Sequence, residues 1–408
     1  MQQNITYESS STYSEKPSNQ RLRLPYLDGI RGLAALYVVL VHCWEPSLAE
    51  ALQPALLWLP IAKFLRYGIF AVVVFIVLSG YCLMLPVVRS DKKYFSGGLL
   101  GFFKRRIRRI LPPYYAALIL CSLIGVFVLW IEQTANLGWD EERLSNLKGL
   151  FSPSYSFKDI LCYLLLLQNF GSSYINKING PTWTVAVEWQ IYFVFAIFLI
   201  PIWRRLGLLP TLTIAFVVGI TLNYLMGELS STVHPWFLGL FALGMAAAEI
   251  NFSQKPFLVQ MKKSLPWDKL AAVFICFGFL TEWIRFNLIQ EMPEWVIHYF
   301  IAFGAACFLI YCTNFLINGK PLPPAVRFLE SPRIVGLGVF SYSLYIIHAP
   351  IVWLVFQILL SMHLSPSMLA VKWFVIGVPL SILVAYVFYR FCERPFMSHL
   401  PVKVKSQM

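Results

Sequence analysis

Polar positions divide this chain into a succession of long apolar runs. A helix needs about 20 mostly apolar residues to cross ~30 Å of hydrocarbon. Runs of that kind recur at 28–47, 67–88, 112–131, 183–203, 207–225, 234–250, 269–285, 295–317, 336–360 and 368–390. The pattern predicts an all-α polytopic membrane protein of about ten transmembrane helices, with the bundle as its core. One run, 160–170, has only eleven residues. It is predicted to be a short re-entrant or surface helix, because irregular backbone at membrane depth must be buried in protein or line a cavity. The polar stretch 171–182 then forms a rim facing substrate. Residues 1–21 are polar and Ser-rich, without the apolar core of a signal peptide, and read as a disordered cytoplasmic tail. Residues 22–397 form the membrane domain and 398–408 a basic cytoplasmic tail.

Composition agrees. The chain is 58% hydrophobic and 13% charged, against about 25% charged in soluble domains, and its mean hydropathy is +0.66. The net charge of +13 comes from loops beside the spans: Lys92, Lys93 and Lys104 to Arg109; Lys255, Lys262 and Lys263; Lys320, Arg327 and Arg333; Lys403 and Lys405. With ten spans these groups share one side, which the positive-inside rule makes cytoplasmic, together with both termini. Loop charge therefore needs no nucleic acid. Seven of the eight cysteines lie in apolar runs and the eighth, Cys392, at the end of one, and none shows CxxC spacing. Neither a disulfide framework nor a metal site is expected.

An ionisable group inside a bilayer is costly and marks a function or a partner. The first run carries Arg31 and His42, a spacing that rises about 16 Å along a helix. Arg31 is expected near one membrane face and His42 near mid-depth. A flanking anchor is the plain alternative for Arg31, and a hydrogen bond to a neighbouring helix for His42. Arg106 and Arg109 are three positions apart and share a helix face, so they can grip phosphates or contact anionic membrane lipids. Glu188 lies about 9 Å down a helix that starts near Pro181 and needs a partner or a proton; a structural salt bridge would satisfy it. Ser79-Gly80-Tyr81 suits close helix packing. His348, two residues before Pro350, can bond carbonyls freed by the kink. Glu393 and Arg394 read as a boundary pair or cap.

Taken together and in this order, these residues resemble the acyltransferase 3 family of integral membrane acyltransferases. The resemblance covers nearly all of 22–397. It rests on the Arg31-to-His42 spacing, Ser79-Gly80-Tyr81, Arg106-Ile107-Arg108-Arg109 before Pro112, Trp183-Thr184-Val185-Ala186-Val187-Glu188, Ser341-Tyr342-Ser343-Leu344-Tyr345 leading to His348, and Glu393-Arg394-Pro395-Phe396. Thr184 stands where the family usually has serine and keeps the hydroxyl. The chain looks like the stand-alone form, without a fused hydrolase-like domain.

The resemblance implies transfer of an acetyl or other short acyl group from cytoplasmic acyl-CoA to a hydroxyl, often of a surface glycan such as an O-antigen or exopolysaccharide sugar. Arg31, Arg106 and Arg109 would bind the acyl-CoA phosphates. His42 would be general base, and Glu188 would orient it or bind the acceptor. Ser79, Tyr81, Trp183, Thr184, Tyr345 and His348 would bind substrate or support the site. Trp183, Trp189, Tyr174 and Tyr155 could stack on a sugar, with interfacial anchoring as the alternative. Direct transfer is favoured over an acyl-His42 intermediate, and Cys43 points about 100° away from His42 on a helix. The acceptor would be a glycan or lipid-linked sugar, and the family's distribution points to a bacterial inner membrane. A homo-oligomer is compatible with all of this.

Three other readings compete. A secondary transporter or glycan exporter also places charge at mid-depth, but many such proteins contain repeats and none is visible here. Acylation of a small hydrophobic molecule such as an antibiotic uses the same chemistry. The other large family of membrane-bound O-acyltransferases pairs His with Asn in a different context, which these motifs do not match.

Overall fold

The computed structural model describes residues 23–44, 64–134, 155–362 and 364–397. The expected tails at 1–21 and 398–408, and residues 45–47 of the first predicted span, lie outside the described residues. Among the described residues every regular element is helical. In chain order they begin with α1 (Pro25–His42), α2 (Gly68–Val88), α3 (Gly98–Thr134) and the short α4 (Phe157–Leu164). Next come α5 (Trp183–Val194), a π-helical turn (Phe195–Leu199), α6 (Ile200–Leu206), α7 (Leu208–Leu225) and α8 (Phe237–Phe252). The remainder are α9 (Pro256–Ser264), α10 (Trp267–Asn287), α11 (Glu294–Ile317), α12 (Pro332–Val339), α13 (Ser341–Leu360) and α14 (Pro366–Phe388).

Among the described residues eight helices are long and apolar enough to cross a membrane, or nine if 227–233 and α8, bent by 42° at the break between them, count as one span. This is an integral membrane protein of the expected all-α class. The predicted span that this count leaves out is the first, α1. Its 18 residues include Asp28 and Arg31, and it falls outside that apolar set. It is nevertheless core, with Tyr26, Ala35 and Val39 fully buried.

Some boundaries move for local reasons. Lys104 to Arg109 lie inside α3 rather than in a loop, because Lys and Arg are good helix formers. The run 336–360 breaks at Phe340 into α12 and α13. The short run becomes α4, whose eight residues are too few to span, with Ser156 Oγ accepting from Asp159 N at 3.2 Å as its cap.

Glycines set the closest crossings. A Cβ on Gly80 of α2 would lie 2.0 Å from the Phe241 carbonyl oxygen, and one on Gly244 of α8 would lie 2.0 Å from that of Val77. Small residues facing one another allow backbones this near. From Phe237 to Asn251 every residue of α8 is buried, so this helix is the centre of the bundle. α1 is held in a similar way on the segment ending in α12: a Cβ on Gly29 would meet the Leu329 carbonyl oxygen at 2.0 Å, and one on Gly338 would meet that of Asp28 at 1.9 Å. A buried network ties these helices together. Thr313 Oγ1 lies 2.5 Å from Tyr26 Oη and 2.7 Å from Tyr81 Oη, which accepts from Asn251 Nδ2 at 3.1 Å. Most of α7 and α10 faces outward. None of the eight cysteines is in a disulfide.

Candidate active site

Two cavities meet inside the bundle. The first, about 260 Å³, is lined by Arg31 of α1, Ser79 and Cys82 of α2, Arg106 and Arg109 of α3, Thr184, Glu188 and Tyr192 of α5, and Ser341, Tyr342 and Tyr345 of α13. The long α3 explains how Arg106 and Arg109 arrive together: one helix turn separates them, and both line the cavity, Arg106 half-buried and Arg109 exposed. Lys104, Arg105 and Arg108 of the same run are exposed and line neither cavity.

Arg31 and Glu188 each have a local partner in this cavity. Arg31 Nη1 is 2.8 Å from Asp28 Oδ1, one turn earlier, and its Nη2 donates to Cys82 Sγ at 2.9 Å. Glu188 Oε1 accepts from the Ser79 hydroxyl and from Tyr192 Oη, one turn further on. Tyr342 Oη donates to the Ile110 carbonyl at 3.1 Å, joining α13 to α3. Glu393 is buried and acts as a cap. Its Oε2 accepts from Ser343 N at 3.2 Å and Ser343 Oγ at 2.5 Å, in the first turn of α13, where N–H groups have no helical partner.

The second cavity, about 330 Å³, is lined by His42, Arg66, Trp183, Trp353, Trp373 and Tyr345, with Ile175, Asn176, Gly180 and Pro181 from the predicted rim. The rim is fixed by buried amides: Asn179 Nδ2 donates to the Ile346 carbonyl at 2.7 Å and Gln168 Nε2 to that of Thr182 at 3.0 Å. His42 is the last residue of α1, and its ring centroid is 5.1 Å from that of His348. Trp183 stacks on His234 at 4.4 Å.

Val72 and Tyr345 line both cavities. Tyr345 Oη is 2.7 Å from Thr184 Oγ1, and both lie 3.1 Å from the Pro181 carbonyl oxygen. This pair stands where α5 begins.

The residues singled out from the sequence are thus sorted into two groups. Arg31, Arg106, Arg109, Ser79, Thr184 and Glu188 share the first cavity, and His42 and Trp183 the second, with Tyr345 between. The structure does not bring Glu188 to His42. Tyr81 lines neither cavity and belongs to the Thr313 network. His348 is fully buried behind His42. Trp189, Tyr174 and Tyr155 line neither cavity; Trp189 packs on Phe193 and Tyr155 Oη donates to the Ser122 carbonyl. Sequence reasoning missed Tyr192, Cys82, Arg66, Trp353 and Trp373. Of these only Tyr192, four positions after Glu188, carried a signal. Among the described residues no group of three or more His, Cys, Asp or Glu is placed to hold a metal ion.

The site thus consists of an arginine-lined cavity and a histidine-lined cavity that share Val72 and Tyr345. The chain belongs to the acyltransferase 3 family, whose profile, described as an acyltransferase domain, matches residues 24–390. It is similar to O-acetyltransferase OatA of Staphylococcus aureus (strain NCTC 8325 / PS 47), with 23% identity over 383 residues covering 91% of this chain and 57% of that protein. It is also similar to a putative O-acetyltransferase of S. aureus (strain COL), with 21% identity over 404 residues and the same coverage. The chain therefore spans little more than half the length of these curated relatives. No solved structure matches.

Proposed function

We propose that this protein is a membrane O-acyltransferase that moves an acetyl or other short acyl group from acyl-CoA to a hydroxyl of a surface glycan. The observation that carries this reading is the shared wall: an arginine-lined cavity and a histidine-lined cavity touch at Val72 and Tyr345. The printed name of the relatives, O-acetyltransferase, points the same way.

Arg31, Arg106 and Arg109 hold the phosphates of the donor by charge-assisted hydrogen bonds. The first cavity is smaller than the ~300–1,000 Å³ of a drug-sized pocket, so it takes the slim pantetheine arm and its phosphate rather than the nucleotide. Arg31 and His42 are about 16 Å apart along α1, a distance the extended arm covers, bringing its thioester to Tyr345. Trp183, Trp353 and Trp373 offer ring faces to a sugar in the second cavity. His42 takes the proton of the acceptor hydroxyl; the oxygen attacks the thioester carbon; the C–S bond breaks, and the thiolate takes the proton from His42. Thr184 and Tyr345, whose hydroxyls bond each other and the Pro181 carbonyl in this structure, would turn from that carbonyl to donate to the oxygen that becomes anionic. Glu188, bonded to Ser79 and Tyr192, orders the donor cavity and balances its arginines.

The arginine end faces the cytoplasm, where acyl-CoA is made, and the histidine end faces outward. A bacterial inner membrane fits this arrangement. The test is CoA release by purified protein in nanodiscs given acetyl-CoA, with and without envelope glycans, beside His42→Ala. Glycan-stimulated release that His42→Ala abolishes is the expected result. No release with any short acyl-CoA, from protein that binds none, would move the reading to transport.

A further inference from the structure

We propose that His348 is a positioning residue whose Nε2 receives a hydrogen bond from His42 once His42 has taken up the acceptor's proton. The inference rests on the acyl-transfer reading with His42 as base.

His348 lies in α13 and is fully buried. Its Nδ1 is 2.7 Å from the carbonyl oxygen of Tyr345 and 3.2 Å from that of Leu344. Carbonyl oxygens only accept, so Nδ1 carries the proton and the neutral ring keeps its lone pair on Nε2. The helix backbone thus sets the tautomer. That Nε2 is buried and has no hydrogen-bond partner among the described residues. A buried acceptor left in this state is unfavourable and needs an explanation. Among the described residues the nearest ring is that of His42, with its centroid 5.1 Å away, and the next is that of Tyr345 at 5.9 Å. His42 lines the acceptor cavity and His348 does not. The order is cavity, His42, His348.

Neutral His42 has one N–H, and the imidazolium formed during transfer has two. The added N–H sits on the nitrogen that faces the acceptor and leaves with the thiolate. The other is then a much stronger donor, and a small ring adjustment brings it to His348 Nε2. No proton moves to His348; the bond only spreads the charge. An acceptor unsatisfied in the resting state and satisfied when charge develops lowers the barrier rather than the ground state. His348 touches neither donor nor acceptor, which distinguishes it from a substrate ligand.

The test compares His348→Leu, His348→Gln and His348→Asn in the CoA-release assay, with kcat and KM measured separately. A Gln amide oxygen reaches the place of Nε2, whereas Asn replaces only the Nδ1 side. The expected result is a kcat about 10–100-fold lower in His348→Leu, an acetyl-CoA KM within about twofold of wild type, and His348→Gln at least about fivefold more active than His348→Asn. Equal activity of the Gln and Asn variants, or wild-type kcat in His348→Leu, overturns the proposal. The Gln–Asn comparison holds even if the Leu variant fails to fold. Activity retained by His42→Ala would instead overturn the acyl-transfer reading beneath it.

Discussion

Tyr345 and Thr184 hold their hydroxyl oxygens 2.7 Å apart at the boundary of two cavities, one lined by arginines and one by a histidine. In the proposed reaction the pair separates donor from acceptor. Tyr345→Phe keeps the ring and loses one buried hydroxyl, worth about 1 kcal/mol, so kcat should fall by up to about tenfold. Tyr345→Ala removes the partition. Water then reaches the thioester, and CoA release without acceptor should rise relative to acyl transfer. The check is the ratio of CoA released to ester formed, which stays at one if Tyr345 is not the partition.

Arg106 and Arg109 face the donor cavity from one helix turn. Removing one charge-assisted contact costs about 1.5–3 kcal/mol, which is roughly a 10–100-fold rise in the KM for acetyl-CoA in Arg106→Ala. Arg108→Ala is the control, since Arg108 is exposed and lines neither cavity. Equal KM values for the two variants would return the run to lipid anchoring.

Much of this site was legible in the chain. Arg31 and Glu188 were singled out because charge in an apolar run needs a reason, and Arg106 and Arg109 because a spacing of three puts them on one helix face; the fold gathers all four into one cavity. The separation of His42 from Glu188 was not legible. Rise along a helix gives depth, but which helix faces which is decided by crossings such as Gly80 against Phe241, tens to hundreds of residues apart. Trp353 and Trp373 were invisible for the same reason, since along their own runs they look like any lipid-facing aromatic. The basic run was read as a loop because charge usually ends a span. In α3 it extends one, and the helix brings Arg106 and Arg109 to the same cavity.

Glu188 and Ser79 form one unit with Tyr192. Glu188 is half-buried, and Glu188→Ala should lower kcat/KM by about 10–100-fold, the scale for losing hydrogen bonds to a charged group. Ser79→Ala loses one neutral donor and should cost about fivefold. If the hydroxyl acts only through the carboxylate, Ser79→Ala in the Glu188→Ala background should cost nothing further, because residues in one network are not additive. Independent losses in the double variant would give Ser79 a separate role against substrate.

The last prediction concerns the frame that sets these distances. A Cβ on Gly80 would fall 2.0 Å from a backbone oxygen of α8, and one on Gly244 would fall 2.0 Å from a backbone oxygen of α2. Neither obstacle is a flexible side chain, so α2 and α8 must part. Overpacking of this kind costs about 1–3 kcal/mol or more. Because Ser79 and Tyr81 flank Gly80, parting the helices also shifts Ser79 relative to Glu188. Gly80→Ala and Gly244→Ala should each lower the melting midpoint in detergent by several degrees and reduce activity in the protein that remains folded. Gly336→Ala is the matched control: a Cβ there meets nothing within 4 Å, and alanine is the better helix former. Its midpoint should stay level or rise. A Gly80→Ala protein that melts with the wild type would mean that α2 and α8 cross less tightly than these distances require.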